Sequence, residues 1–115
     1  MPSLSLSITD GAGAREVAVE AFPATVGRDG RSRVRIDAQS VSGAHCTLHR
    51  AGDRFFVMDN RSSNGTTLNG RKMAPWRLKV LSGGDRLQLG SAQVIVSITS
   101  PIGTFIAVFP TGPTL

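Results

Sequence analysis

Apolar residues recur at every second position over short runs of this chain, and turn residues cut the runs apart. The first run, SLSLSITD, sets Ser and Thr against Leu, Leu and Ile, the period of a half-buried strand. No segment sustains a 3.6-residue apolar period. Val, Ile, Leu and Thr dominate between the glycines and prolines, as in β-sandwiches and barrels. The pattern predicts strands over residues 3–8, 16–21, 24–28, 34–36, 45–51, 54–60, 66–69, 78–81, 85–89 and 93–98. Asp10-Gly11 separates the first two, Gly52-Asp53 joins the fifth to the sixth, and Asn69-Gly70 closes the seventh. Asn-Gly is a favoured hairpin pair because both residues tolerate positive φ. Strands packed this densely leave no room for a long helix. The expected fold class is all-β.

Three stretches break the alternation, at residues 29–33, 37–44 and 61–65, each rich in Arg, Ser, Asn, Asp or Gly. Loops of this kind present hydroxyls, amides and guanidinium groups outward. The expected organisation is one domain over residues 1–98 and a tail over 99–115. Pro101, Pro110 and Pro113 surround the apolar run 105–109 in that tail. It reads equally as an extra edge strand, a linker or a disordered end.

Composition narrows the function classes. With 115 residues, 40% of them hydrophobic and 18% charged, the chain suits one soluble globular domain. The single cysteine, Cys46, permits no internal disulfide and fits a reducing compartment. The N-terminal stretch lacks the charged and continuous apolar regions of a signal peptide. No apolar run reaches the roughly 20 residues of a membrane-spanning helix. A cytoplasmic protein without membrane insertion is expected. The net charge of +5 suits nucleic acid, acidic lipid or phosphorylated peptide alike. Eleven of the thirteen basic residues are arginine, whose planar fork favours phosphate and carboxylate.

The candidate chemistry is spread along the chain. Gly27-Arg28 follows an apolar strand, and Ser42-x-x-His45 follows later. Ser62-Ser63-Asn64-Gly65-Thr66 comes after Asp59, and Leu68-Asn69-Gly70 stands just beyond. Leu81-x-x-Gly84-Asp85-x-Leu87-x-Leu89-Gly90 closes the series. Each piece alone is common. In this order and spacing, over most of the chain, they resemble the forkhead-associated (FHA) domain family.

That resemblance implies a β-sandwich of about eleven strands with Ser-, Asn- and Arg-bearing loops at one end. It implies a phosphothreonine-dependent peptide-binding module in Ser/Thr-kinase signalling. The partner would be a phosphothreonine-containing protein, such as a kinase or its substrate. Arg28, Ser42 and Ser63 would contact the phosphate, and Asn64 the peptide main chain. Gly27, His45 and Gly65 would support the site, and Gly43, Arg61 and Asn69 are candidates for further contacts. The chemistry agrees, because a phosphate brings a charge of roughly −1.5 to −2 and three acceptor oxygens. Between Ser42 and His45 the chain carries Gly43 and Ala44, where many relatives have a basic or amide side chain first.

Other chemistries fit less well. A Ser42 nucleophile would need an oriented base and an oxyanion hole, and no third group is implied. Two histidines and one cysteine are too few and too scattered for zinc. Gly27-Arg28-Asp29-Gly30-Arg31-Ser32 lacks the ending of a P-loop. No enzyme, metal or cofactor is expected. Five Phe, one Trp and no Tyr provide no base-stacking motif, which argues against nucleic acid. The alternative is a phosphate-independent scaffold or oligomerisation domain on the same fold, motivated by Gly43-Ala44 and the apolar tail. The oligomeric state is left open.

Overall fold

The computed structural model describes residues 1–100. Eleven strands run in the order β1 (Ser3–Asp10), β2 (Gly13–Val19), β3 (Ala24–Gly27), β4 (Val34–Arg35), β5 (Cys46–Ala51) and β6 (Arg54–Asp59). They continue with β7 (Thr66–Leu68), β8 (Arg71–Lys72), β9 (Lys79–Leu81), β10 (Arg86–Leu89) and β11 (Ala92–Thr99). A six-stranded sheet has the order β2-β1-β11-β10-β7-β8, and a five-stranded sheet the order β4-β3-β5-β6-β9. Among the described residues there is no helix, hence none long and apolar enough to cross a membrane.

The alternation read from the sequence sets the inner faces. Leu4, Leu6 and Ile8 of β1 are buried, as are Phe55 and Val57 of β6, Leu87 and Leu89 of β10, and Val94 and Val96 of β11. Burying a side chain of this size contributes about 1.5–3 kcal/mol, so the two apolar faces hold the sandwich closed. Cys46 belongs to this core, and burial, with the Asp59 charge adding to it, pushes its thiol pKa up to about 12. It is an inert packing residue.

The expected strands are present with shifted ends. β1 continues to Asp10, and β2 starts at Gly13 and stops at Val19, earlier than the sequence pattern placed it. The reason is register, since Leu4 pairs with Val19 and Asp10 with Gly13 in one tight hairpin. Asn69 and Gly70 take φ of 52° and 84°, as their turn chemistry requires. They lead into β8, whose two exposed cations show no apolar period. β11 runs to Thr99, one residue past the expected domain end. The tail reading otherwise falls on residues 101–115, outside the described residues.

The loops after β3, β4 and β6 meet at one end of the five-stranded sheet. β5 is flanked by β3 and β6. The C-terminal ends of β3 and β6 therefore lie on either side of the start of β5. Every loop singled out by composition springs from this end.

Candidate functional site

Gly27 ends β3 and delivers Arg28 to the loop. A side chain at Gly27 would run into the Gly43 carbonyl, with its Cβ also 2.9 Å from Ser42 O. Glycine is required there because two backbones touch. The contact is locked by Arg28 N donating to Ser42 O at 3.0 Å and Asp29 N donating to Gly43 O at 3.1 Å. Arg28 Nε donates to Val41 O at 3.0 Å, which fixes the guanidinium plane. Its two terminal nitrogens make no hydrogen bond within the described residues and are free for an anion.

Ser42 stands beside this arginine. Its Oγ accepts the Ser63 N–H at 3.0 Å, so the loops after β4 and β6 join through the very hydroxyl that the sequence singled out. Ser63 and Asn64 are exposed. Asn64 Nδ2 donates to Ser40 O at 2.8 Å, leaving one amide hydrogen and the Oδ1 acceptor for a ligand. Ser40 is in turn held by Ser91, whose N–H donates to Ser40 Oγ at 2.8 Å.

His45 is fully buried. Ser42 N–H donates to His45 Nδ1 at 3.0 Å, so Nδ1 carries no proton. Nε2 must then be the donor in its 3.0 Å bond to Gly65 O. One neutral tautomer thus braces both loops. Burial holds the His45 pKa below 6.5 although the Gly65 carbonyl and the Asp59 charge pull the other way.

Asp59 is the member that motif reading left unassigned. It is 2% exposed and occupies the inward phase of β6 after Phe55 and Val57. Its carboxylate accepts Ser62 Oγ at 2.6 Å, Ser62 N–H at 3.1 Å and Thr66 Oγ1 at 2.7 Å. Burial raises its pKa, but these hydrogen bonds and the nearby His45 outweigh that, so it lies below 3.8. The available signal was an acid in a core phase three residues before a serine, a spacing that closes side chain-to-backbone turns.

The remaining candidates separate. Gly65 takes φ 79° and supplies the carbonyl that His45 holds. Gly43 has no positive φ, and a Cβ there would meet only Asp29 Cβ, at 3.6 Å. Its carbonyl is already taken by Asp29 N and Ser32 Oγ. A depression of about 200 Å³ adjoins it, lined by Thr25, Asp29, Arg31, Ser32, Gly43 and Ala44. Arg61 is exposed with φ 58°. Asn69 stands apart, because its amide donates to Asp85 Oδ1 at 3.0 Å and accepts Arg86 N–H at 2.9 Å. That side chain staples the β7–β8 turn to β10.

A family model of the FHA domain matches residues 24–90. The chain is 30% identical over 94 residues to the FHA domain-containing protein FhaA of Mycobacterium tuberculosis, covering 82% of this chain and 17% of that protein. It is 36% identical over 69 residues to the oxoglutarate dehydrogenase inhibitor of Corynebacterium jeikeium, covering 60% and 46%. The chain therefore spans less than half the length of either relative. Among solved structures it resembles a domain from a structural and functional analysis of phosphothreonine-dependent FHA domain interactions. The TM-score is 0.75 at 28% identity, over 86% of this chain and 98% of that one. It also resembles the FhaA FHA domain complexed with the intracellular domain of Rv3910, with TM-score 0.72 at 29% identity, over 82% and 99%.

Proposed function

The chain belongs to the FHA domain family, and from that premise we propose that it binds phosphothreonine-containing peptides through the loops joined at Ser42 and Ser63. The observation that carries this reading is the convergence of Arg28 and Ser42. The Arg28 backbone bonds to Ser42 O, its Nε is anchored on Val41 O, and Ser42 Oγ is bonded to the Ser63 amide. A phosphate needs one firm cation and several hydroxyl or N–H donors. Here they sit on three loops already tied together, so little ordering cost remains to be met on binding.

Arg28 terminal nitrogens and the Ser42 and Ser63 hydroxyls take the phosphate in this reading. Asn64 uses its spare amide hydrogen and Oδ1 on the peptide backbone. Gly27, His45 and Gly65 hold the loops. The partner is a protein phosphorylated on threonine, a Ser/Thr kinase or one of its substrates. The phosphothreonine-dependent interactions of one similar domain, and the protein complex of another, support the reading.

Binding rather than catalysis fits the hydrogen bonding. His45 Nδ1 receives the Ser42 backbone N–H, not its hydroxyl, and Nε2 is committed to Gly65 O. Neither ring nitrogen of His45 is therefore placed to take the Ser42 Oγ proton. The test is calorimetric titration with matched threonine and phosphothreonine peptides. Selective binding of the phosphorylated form is expected, and equal binding of both would favour the phosphate-independent scaffold.

A further inference from the structure

From Asn60 to Gly84 the chain carries Arg61, Arg71, Lys72, Arg77 and Lys79 and not one Asp or Glu. All five are exposed. None forms an ion pair, the one such pair among the described residues being Arg15 with Asp10. The fold concentrates this charge. β8 is the outer strand of one sheet and β9 the outer strand of the other. Their side chains share one depression of about 200 Å³, lined by Leu68, Arg71, Lys72, Met73 and Lys79. Three cations thus stand around a floor of Leu and Met.

This groove adjoins the phosphopeptide loops. A Cβ on Gly65 would lie 3.1 Å from Lys72 Cε and 3.8 Å from its Nζ. The Lys72 ammonium is therefore beside the turn that presents Ser63 and Asn64. Like charges held close repel one another, and an anionic segment crossing the groove would relieve that repulsion. The methylenes of Glu side chains suit the Leu68 and Met73 floor.

We propose that the strip formed by Arg71, Lys72 and Lys79 binds acidic residues flanking the phosphothreonine, so that the preferred partner is an acidic phosphopeptide segment. This inference rests on the phosphopeptide reading above. Lys72 is the link between the two sites, close to the Ser63–Gly65 turn and lining the groove.

Three peptides test it by titration: a phosphothreonine peptide with Ala flanks, the same peptide with Glu flanks, and the Glu-flanked peptide without phosphate. Wild type is compared with Lys72→Ala/Lys79→Ala and with Arg54→Ala, at the opposite end of β6. Exposed ion pairs are individually weak, so the Glu flanks should tighten wild-type binding about threefold to tenfold at low salt. The gain should fade as salt rises, vanish in the double variant and persist in Arg54→Ala. Equal affinity for Ala and Glu flanks, or a gain that survives the double substitution, overturns the proposal. So does a mixed-sequence oligonucleotide whose binding alone is lost in the double variant, which would assign the strip to nucleic acid. Equal binding of the Glu-flanked peptide with and without phosphate would instead sink the phosphothreonine reading itself.

Discussion

The buried imidazole of His45 accepts the backbone N–H of Ser42 at 3.0 Å, and the same ring reaches across to Gly65 O. The two loops expected to grip a ligand are thereby set at a fixed separation by one side chain that is buried from solvent. His45→Ala would leave a half-buried donor, Ser42 N–H, and a half-buried acceptor, Gly65 O, without this partner, each costing up to about 1–3 kcal/mol. A loss of about 2–4 kcal/mol is expected in denaturant titration, with phosphopeptide affinity falling alongside it. Unchanged stability with lost binding would instead make His45 a direct contact.

The same residue should make stability depend on pH. Its folded pKa lies below the ordinary 6.5 because burial disfavours the charged ring. Between those two values the unfolded chain binds a proton that the folded chain does not, so stability rises with pH there. The contribution is complete above about 6.5 and lost as pH falls through the folded pKa. His45→Gln should flatten this part of the profile in thermal melts from pH 5 to pH 7.5. A wild-type profile that is flat over that window would refute the assignment.

Arg28→Ala should weaken phosphopeptide binding roughly tenfold to a hundredfold, since a charge-assisted hydrogen bond contributes about 1.5–3 kcal/mol. The fold should persist, because the residue is exposed and loses only its bond to Val41 O. Arg28→Lys should recover only part of the affinity, as lysine lacks the fork that anchors on Val41 and grips with its remaining nitrogens. Titration calorimetry with circular dichroism as a folding check decides this. Wild-type affinity in a folded Arg28→Ala protein would remove the residue from the site.

Asp59→Asn should loosen the turn that carries Ser63 and Asn64. Its carboxylate accepts from Ser62 N, Ser62 Oγ and Thr66 Oγ1, and the neutral amide cannot accept all three on its single oxygen. A loss of about 2–4 kcal/mol is expected from a disrupted buried network. The folded pKa is depressed, so the wild-type contribution is present above about 3.9 and lost at lower pH. Hydrogen exchange at Ser62 and Ser63 should quicken first, and uniform protection across that turn would contradict this role.

Gly27 and Gly43 should respond oppositely to substitution. Gly27→Ala forces a methyl into the Gly43 backbone and should both destabilise the domain and separate Arg28 from Ser42. Gly43→Arg meets only ordinary contact with Asp29 Cβ, 3.6 Å away, and should fold normally. Its added cation should tighten phosphopeptide binding by up to about fivefold at low salt. The gain should shrink at pH 5.5, where the free phosphate is largely a monoanion because its second pKa is near 6. Equal melting temperatures for the two variants would show that the close approach at Gly27 is not constraining.

The sequence by itself determined ten of the eleven strands, to within a few residues at their ends, and the turn between β7 and β8. Alternation in SLSLSITD and the φ preferences of Asn69-Gly70 are local properties, settled by residues one or two apart. The order of Gly27-Arg28, Ser42-x-x-His45 and Ser62-Ser63-Asn64-Gly65-Thr66 likewise named the loops that meet at one end. Only the tertiary structure decided what joins them. Ser42 Oγ finds Ser63 N across 21 residues, His45 finds Gly65 O across 20, and Asn64 finds Ser40 O across 24. Such pairs depend on β5 lying between β3 and β6, an order that no local period encodes. β8 was hidden because Arg71 and Lys72 are both exposed cations with no apolar phase, whereas the equally short β4 sits in the alternation Val34-Arg35-Ile36. Asn69 is a candidate for a further contact by motif, and its amide bonds to Asp85 and Arg86, which the pairing of β7 with β10 brings near. Lys72 gave no signal of its own, and its place beside Gly65 comes from β8 folding back on β7.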